Sequence, residues 1–180
     1  MAEPAATTLW DYSLAVYARS GVPAACLALQ ARHGLDVNVL LFCCWAGQCG
    51  RALTPEEIDG LMAAVGPWHE RAVKPLRAVR RWLKTRETAP GAAAEALRQE
   101  VKALELEAER IEQQILAETL ALGEGAPAAA LAAANLKAYL GVQKLRAGAE
   151  DTADLASLLT GCFAGLPPEE AMRLFACAPR

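Results

Sequence analysis

The chain has 180 residues, 54% of them apolar, and a formal net charge of -3. That length builds one domain with a real core, and that apolar share excludes a disordered chain. The charge shows no basic excess for nucleic acid, and the longest apolar run, Val39 to Gly47, falls far short of the ~20 residues of a membrane helix.

The punctuation is helical from the start. Thr8, with Asp11 three residues on, reads as a capping box with an acid in the usual Glu position. Gly21-Val22-Pro23 restarts the chain, since proline suits a helix's first turn. That helix should stop at Gly34, a natural C-terminal glycine. Asp36 is placed to cap the next helix, which carries "LLFCCWAGQCG" and ends at Gly50. "TPEE", Thr54 to Glu57, is another clear start, with a cap, a proline and two glutamates on the positive end of the helix dipole. Gly66-Pro67 is expected to break the pattern, and Pro75 to kink the following segment or restart it.

Two oppositely charged segments come next. Trp68 to Thr88 holds seven Arg or Lys against Glu70 and Glu87, and Glu95 to Glu124 holds eight Glu against Arg98, Lys102 and Arg110. The turn at Pro90-Gly91 joins them, so they should fold back as an antiparallel hairpin, about 67–88 against 92–122, with opposite charges flanking a shared seam. Leu97, Val101, Leu104, Ala108, Ile111 and Ile115 step by 4, 3, 4, 3, 4, a heptad seam. It packs inside the hairpin or, alternatively, makes a homodimer through 97–115. "GEGAP" then forms a loop, and alanine-rich helices follow near 128–147, 152–164 and 168–177. No segment alternates as a strand does. The expected fold is all-α, a single-domain bundle of about seven to eight helices. Its parts are apolar N-terminal helices (9–50), the charged hairpin (54–122) and the alanine-rich C-terminal helices (127–178).

Lys74, Arg77, Arg81 and Lys84 fall on one helical stripe, which suits an acidic partner or an anion. The competing reading spends these charges on the glutamate-rich helix. Cys43, Cys44 and Cys49 lack the C-x-x-C spacing of a zinc site, and no cation precedes Arg51, so they read as core wall, with free thiols throughout. Cys43, Cys49 and Trp45 remain the residues of an alternative ligand pocket or reactive thiol. His69, between Trp68 and Glu70, reads as part of a solvated face. No catalytic motif is present, and no metal ligand set or cofactor is assigned.

The L-W-D-Y-S start (Leu9 to Ser13), the D-V-N apolar run at Asp36 and the P-L-R-x-x-R-R-x-L-K segment (Pro75 to Lys84) resemble a family of small proteobacterial proteins with a conserved domain of unknown function. The resemblance spans about residues 9 to 122, and the tail after about Gly148 is least tied to it. It implies a bacterial, single-domain protein and transfers no activity, cofactor or catalytic residue. The first ten residues carry no basic n-region and no apolar h-region, so a cytoplasmic protein is expected. The leading functional reading is a non-enzymatic adaptor or regulator of another bacterial protein. Small-ligand or thiol redox chemistry at 43–49 is the alternative. Nucleic-acid or phosphate binding through 71–86 is a third reading, disfavoured by the overall charge.

Overall fold

The computed structural model describes residues 8–85 and 91–176. All its regular elements are helical: α1 (Leu9–Tyr17), α2 (Val22–His33), α3 (Val37–Gln48), α4 (Pro55–Trp68), a π turn (His69–Val73), α5 (Lys74–Lys84), α6 (Gly91–Thr119), α7 (Ala129–Val142), α8 (Ala149–Cys162) and α9 (Pro168–Phe175). Because α4, the π turn and α5 run on without interruption, the described residues form eight helical rods. No strand occurs among them.

The anticipated caps are in place. Thr8 Oγ1 accepts the Asp11 N–H at 3.1 Å, and Asp36 caps α3 by accepting the Asn38 N–H at 2.9 Å. Thr54 and Glu57 form a reciprocal capping box. Gly34 ends α2 with φ at 68°, the left-handed conformation that glycine adopts without penalty.

Helix α3 is apolar on every side and sits at the centre, as such helices do. Leu40, Phe42, Cys43 and Cys44 are fully buried. It lies closest to α7, where the lack of a side chain at Gly47 permits the contact: a Cβ there would stand 2.5 Å from Ala132 Cβ. Asn135 of α7 ties down the segment after α3, accepting the Leu53 N–H at 2.8 Å and donating to the Arg51 carbonyl at 2.9 Å. Helices α8 and α9 close the other side, with Arg32 and His33 of α2 both held to Asp151 of α8.

Three sequence expectations need correction. Gly66-Pro67 does not break the rod; both lie within α4, whose far end packs on α6. Next to the proline, Trp68 donates its indole N–H to the Ala108 carbonyl of α6 at 2.9 Å, a tertiary contact that holds this end of the rod. At Pro75 the chain responds just upstream. Lys74 N–H bonds the His69 carbonyl five residues back, forming the π turn. In a regular α-helix the proline ring would crowd the Arg71 carbonyl, and the wider turn relieves that contact. The third correction is the phase of α6. Leu97 and Leu104 are 48% and 58% exposed, while Val101, Glu105, Ala108, Glu112 and Leu116 are buried. Val101 and Ala108 keep their expected place, but the seam turns away from Leu97 and Leu104 and brings two glutamates inside.

Candidate functional site

Four helical segments converge on a buried polar cluster. Asp36, at the head of α3, uses Oδ1 for the cap, which leaves Oδ2 facing His69 Nδ1 at 3.2 Å. His69 comes from the π turn, whose extra residue allows the buried stripe of the rod to run Ile58, Leu61, Val65, His69, Val73. Its Nδ1 also lies 2.8 Å from Glu112 Oε1 on α6. The other Glu112 oxygen, Oε2, accepts Asn38 Nδ2 at 2.6 Å, and Gln113 Nε2 donates to Asn38 Oδ1 at 2.8 Å. Tyr139 of α7 completes the group by accepting the Asp36 N–H through its hydroxyl at 3.0 Å.

The side chains of Asp36, His69 and Glu112 are 7%, 11% and 0% exposed, so their charges act with little solvent screening. Burial alone would lower the His69 pKa, but hydrogen bonds to Asp36 and Glu112 outweigh it and hold the imidazole at about 10. Burial pushes Glu112 up, with Asp36 adding to the rise and His69 opposing it. Burial also pushes the Tyr139 phenol up.

Beside this cluster, α1, α2, α3, α5 and α6 enclose a cleft of about 420 Å³. Asn38 and Gln113 line it, so one amide pair faces both the cleft and the cluster. Ser13 and Gln113 are 4% and 3% exposed, and Ser13 Oγ and Gln113 Oε1 have no hydrogen-bond partner among the described residues. The walls are Trp10, Tyr17, Val37 and Leu41, with Leu14, Leu27 and Leu106 about half exposed. Arg77, Arg80, Arg81 and Lys102 contribute cations, against Glu105 and Glu109.

The basic stripe is divided by its surroundings. Arg77 donates to Glu105 at 3.1 Å and to Glu109 at 2.6 Å, and Arg80 forks onto Glu105. The two charged segments thus pair internally. Lys74 lies 2.5 Å from Glu70, and Arg81 and Lys84 are exposed. Arg86 lies outside the described residues.

The cysteine stretch is built into the core. Cys43 is fully buried, and burial pushes its thiol up to about 12. Trp45 packs edge-on to Phe42, with ring centroids 5.8 Å apart. Cys49 is partly exposed, its thiol raised by burial and by Glu124. None of the three lines the cleft. Cys26, Cys44 and Cys162 are buried free thiols, and Cys177 lies outside the described residues.

His69 and Glu112 are the residues that sequence reading missed, and His69 is buried rather than solvated. The available signal was Pro75, which forces the π turn, His69–Val73, that carries His69.

A family described as a protein of unknown function, DUF2390, matches residues 8–116. The chain belongs to the DUF2390 family. The matched stretch contains Asp36, His69 and Glu112 and every residue that lines the cleft, whereas Tyr139 lies beyond it. No curated protein matches, and no solved structure does. Among the described residues of this DUF2390 chain, no helix is long and apolar enough to cross a membrane.

Proposed function

We propose that this DUF2390 protein is a non-enzymatic interaction module of the bacterial cytoplasm that takes an acidic, amphipathic segment of a partner protein into the α1–α2–α3–α5–α6 cleft. The observation that carries this reading is the cleft mouth. Leu14, Leu27 and Leu106, from three different helices, are 48% to 51% exposed around one concavity. Leucines so exposed and so grouped suit the apolar face of an inserted helix. Arg81 and Lys102 at the same cleft complement an acidic face and favour its encounter. Arg77 is not part of this contact, because Glu105 and Glu109 already engage it.

The test is site-specific photo-crosslinking in the native host, with the photoreactive residue at Leu14, Leu27 or Leu106 and a control at Lys137 on α7. Discrete protein adducts from the three cleft positions, absent at Lys137 and lost in Arg81→Glu/Lys102→Glu, support the proposal. Identical adducts at Lys137 overturn it, as does a small carboxylate that fills the cleft in native mass spectrometry.

A second reading concerns self-association. Leu97 and Leu104 lie two turns apart on α6 and are both exposed, so they offer a second copy an apolar stripe. Sedimentation of the wild type against Leu97→Glu/Leu104→Glu tests it. A dimer that the variant converts to monomer supports the stripe.

A further inference from the structure

We infer that Asp36, His69 and Glu112 form a binding site for one divalent transition-metal cation, of the zinc, manganese or ferrous class. The three offer one ligand atom each, Asp36 Oδ2, His69 Nδ1 and Glu112 Oε1, and these atoms all lie within 4.8 Å of one another.

The two remaining carboxylate oxygens are the strongest indication. Asp36 Oδ1 is occupied by the Asn38 backbone N–H, and Glu112 Oε2 by the Asn38 side chain. Each carboxylate is therefore fixed from behind, with its other oxygen turned to the common centre. Gln113 in turn fixes the Asn38 amide. Outer hydrogen bonds of this kind orient the ligands of metal sites.

Charge balance points the same way. With both carboxylates ionised, the buried site is net negative even when the imidazole is protonated. A divalent cation with a neutral imidazole brings the sum to zero, which removes the large penalty of buried unpaired charge. The spacing is also close to what coordination needs. Ligands at about 2.0–2.2 Å around a tetrahedral ion stand roughly 3.3–3.6 Å apart, and His69 Nδ1 lies 2.8 Å and 3.2 Å from its two oxygens. Opening the His69–Glu112 contact by about half an ångström or more brings it to that spacing, and the His69–Asp36 contact is already near it.

The donor set gives the chemical class. One imidazole nitrogen with two carboxylate oxygens suits zinc, manganese or ferrous iron, and lacks the thiolates that copper(I) prefers. The π turn that delivers His69 fits this assignment, since such turns concentrate at functional sites. Three protein ligands leave a coordination position open. Asn38 and Gln113 form the wall between the cluster and the cleft, so the cation would sit directly beneath the cleft floor.

The test is metal analysis of the full chain purified without chelator, followed by chelation and calorimetric titration with Zn²⁺, Mn²⁺ and, without oxygen, Fe²⁺. One cation per chain, a Tm that rises with its concentration, and loss of both in His69→Gln are the expected result. Asn38→Ala, which removes only the amide behind Glu112, should weaken binding 10- to 100-fold while circular dichroism stays helical. Titration heat or metal content that survives His69→Gln overturns the site and assigns the ion elsewhere. Absence of binding for all three cations to folded wild-type protein overturns it as well.

Discussion

Arg77 on α5 donates through Nε to Glu105 on α6 at 3.1 Å, with 14% and 7% of the two side chains exposed. The Arg77 Nη2 atom reaches on to Glu109 at 2.6 Å, so one guanidinium bridges two successive turns of the opposite helix. This bridge fixes which face of α6 turns inward.

Breaking the bridge should therefore loosen the hairpin. Glu105→Ala leaves Arg80 without its carboxylate and Arg77 with Glu109 alone in a partly buried seam, which should cost about 1–3 kcal/mol. Arg77→Lys keeps the charge but loses the fork that serves two carboxylates at once, and should cost about 1 kcal/mol. Urea unfolding followed by circular dichroism measures both. A cost for Glu105→Ala under ~1 kcal/mol would mean that the pairing contributes little.

Acid should weaken the same seam. Burial alone would raise the Glu105 pKa, but hydrogen bonds from Arg80 and Arg77 outweigh it and hold the carboxyl below its ordinary value. The folded protein thus binds this proton less readily than the unfolded chain does. The stabilisation is present above the ordinary carboxylate pKa of about 4.3 and is lost as pH falls through the lower folded value. Stability measured between pH 5 and pH 3 should drop less steeply in Glu105→Gln than in the wild type.

Thiol labelling should separate the cysteines by burial. Burial pushes Cys26 and Cys43 up to about 12, so neither presents thiolate at neutral pH. Cys49 is the partly exposed thiol among the described residues. Timed alkylation with peptide mapping should show Cys49 modified well before Cys26, Cys43 and Cys44, which should react only as the protein unfolds. Fast modification of Cys43 in folded protein would reopen the redox reading of that stretch.

Two glycines should respond in opposite directions. A Cβ at Gly47 would meet the Ala132 backbone nitrogen at 2.6 Å, where no flexible side chain can yield. Gly47→Ala should cost about 1–3 kcal/mol by forcing α3 and α7 apart. Gly60 lies exposed in α4, and a Cβ there meets nothing within 4 Å. Gly60→Ala should stabilise by about 0.5–1 kcal/mol, since alanine loses less backbone entropy in a helix. Thermal unfolding of the two variants checks both signs.

The sequence by itself determined the helical class, the hairpin and most helix ends. These depend on local causes. Asp36 caps α3 through its own next turn, Thr54 and Glu57 satisfy each other three residues apart, and Gly34 adopts the left-handed backbone that ends α2 at no steric cost. Opposite charge on adjacent segments likewise made the pairing of Arg77 and Arg80 with the glutamate helix legible.

Only the tertiary structure decided the rotation of α6 and, with it, the buried cluster. The heptad pattern ranks positions by apolarity, so it assigned Leu97 and Leu104 to the seam and Glu105 and Glu112 to solvent. Long-range partners reversed that order. Glu105 is offset by two arginines of α5, and Glu112 by His69 and Asn38, which lie 43 and 74 residues away along the chain. A buried charge is stable only where such partners converge, and their convergence depends on how α3, the π turn and α6 pack. Asp36 shows the division within one side chain: its Oδ1 cap follows from its neighbours in sequence, while its Oδ2 contact with His69 exists only in the folded protein.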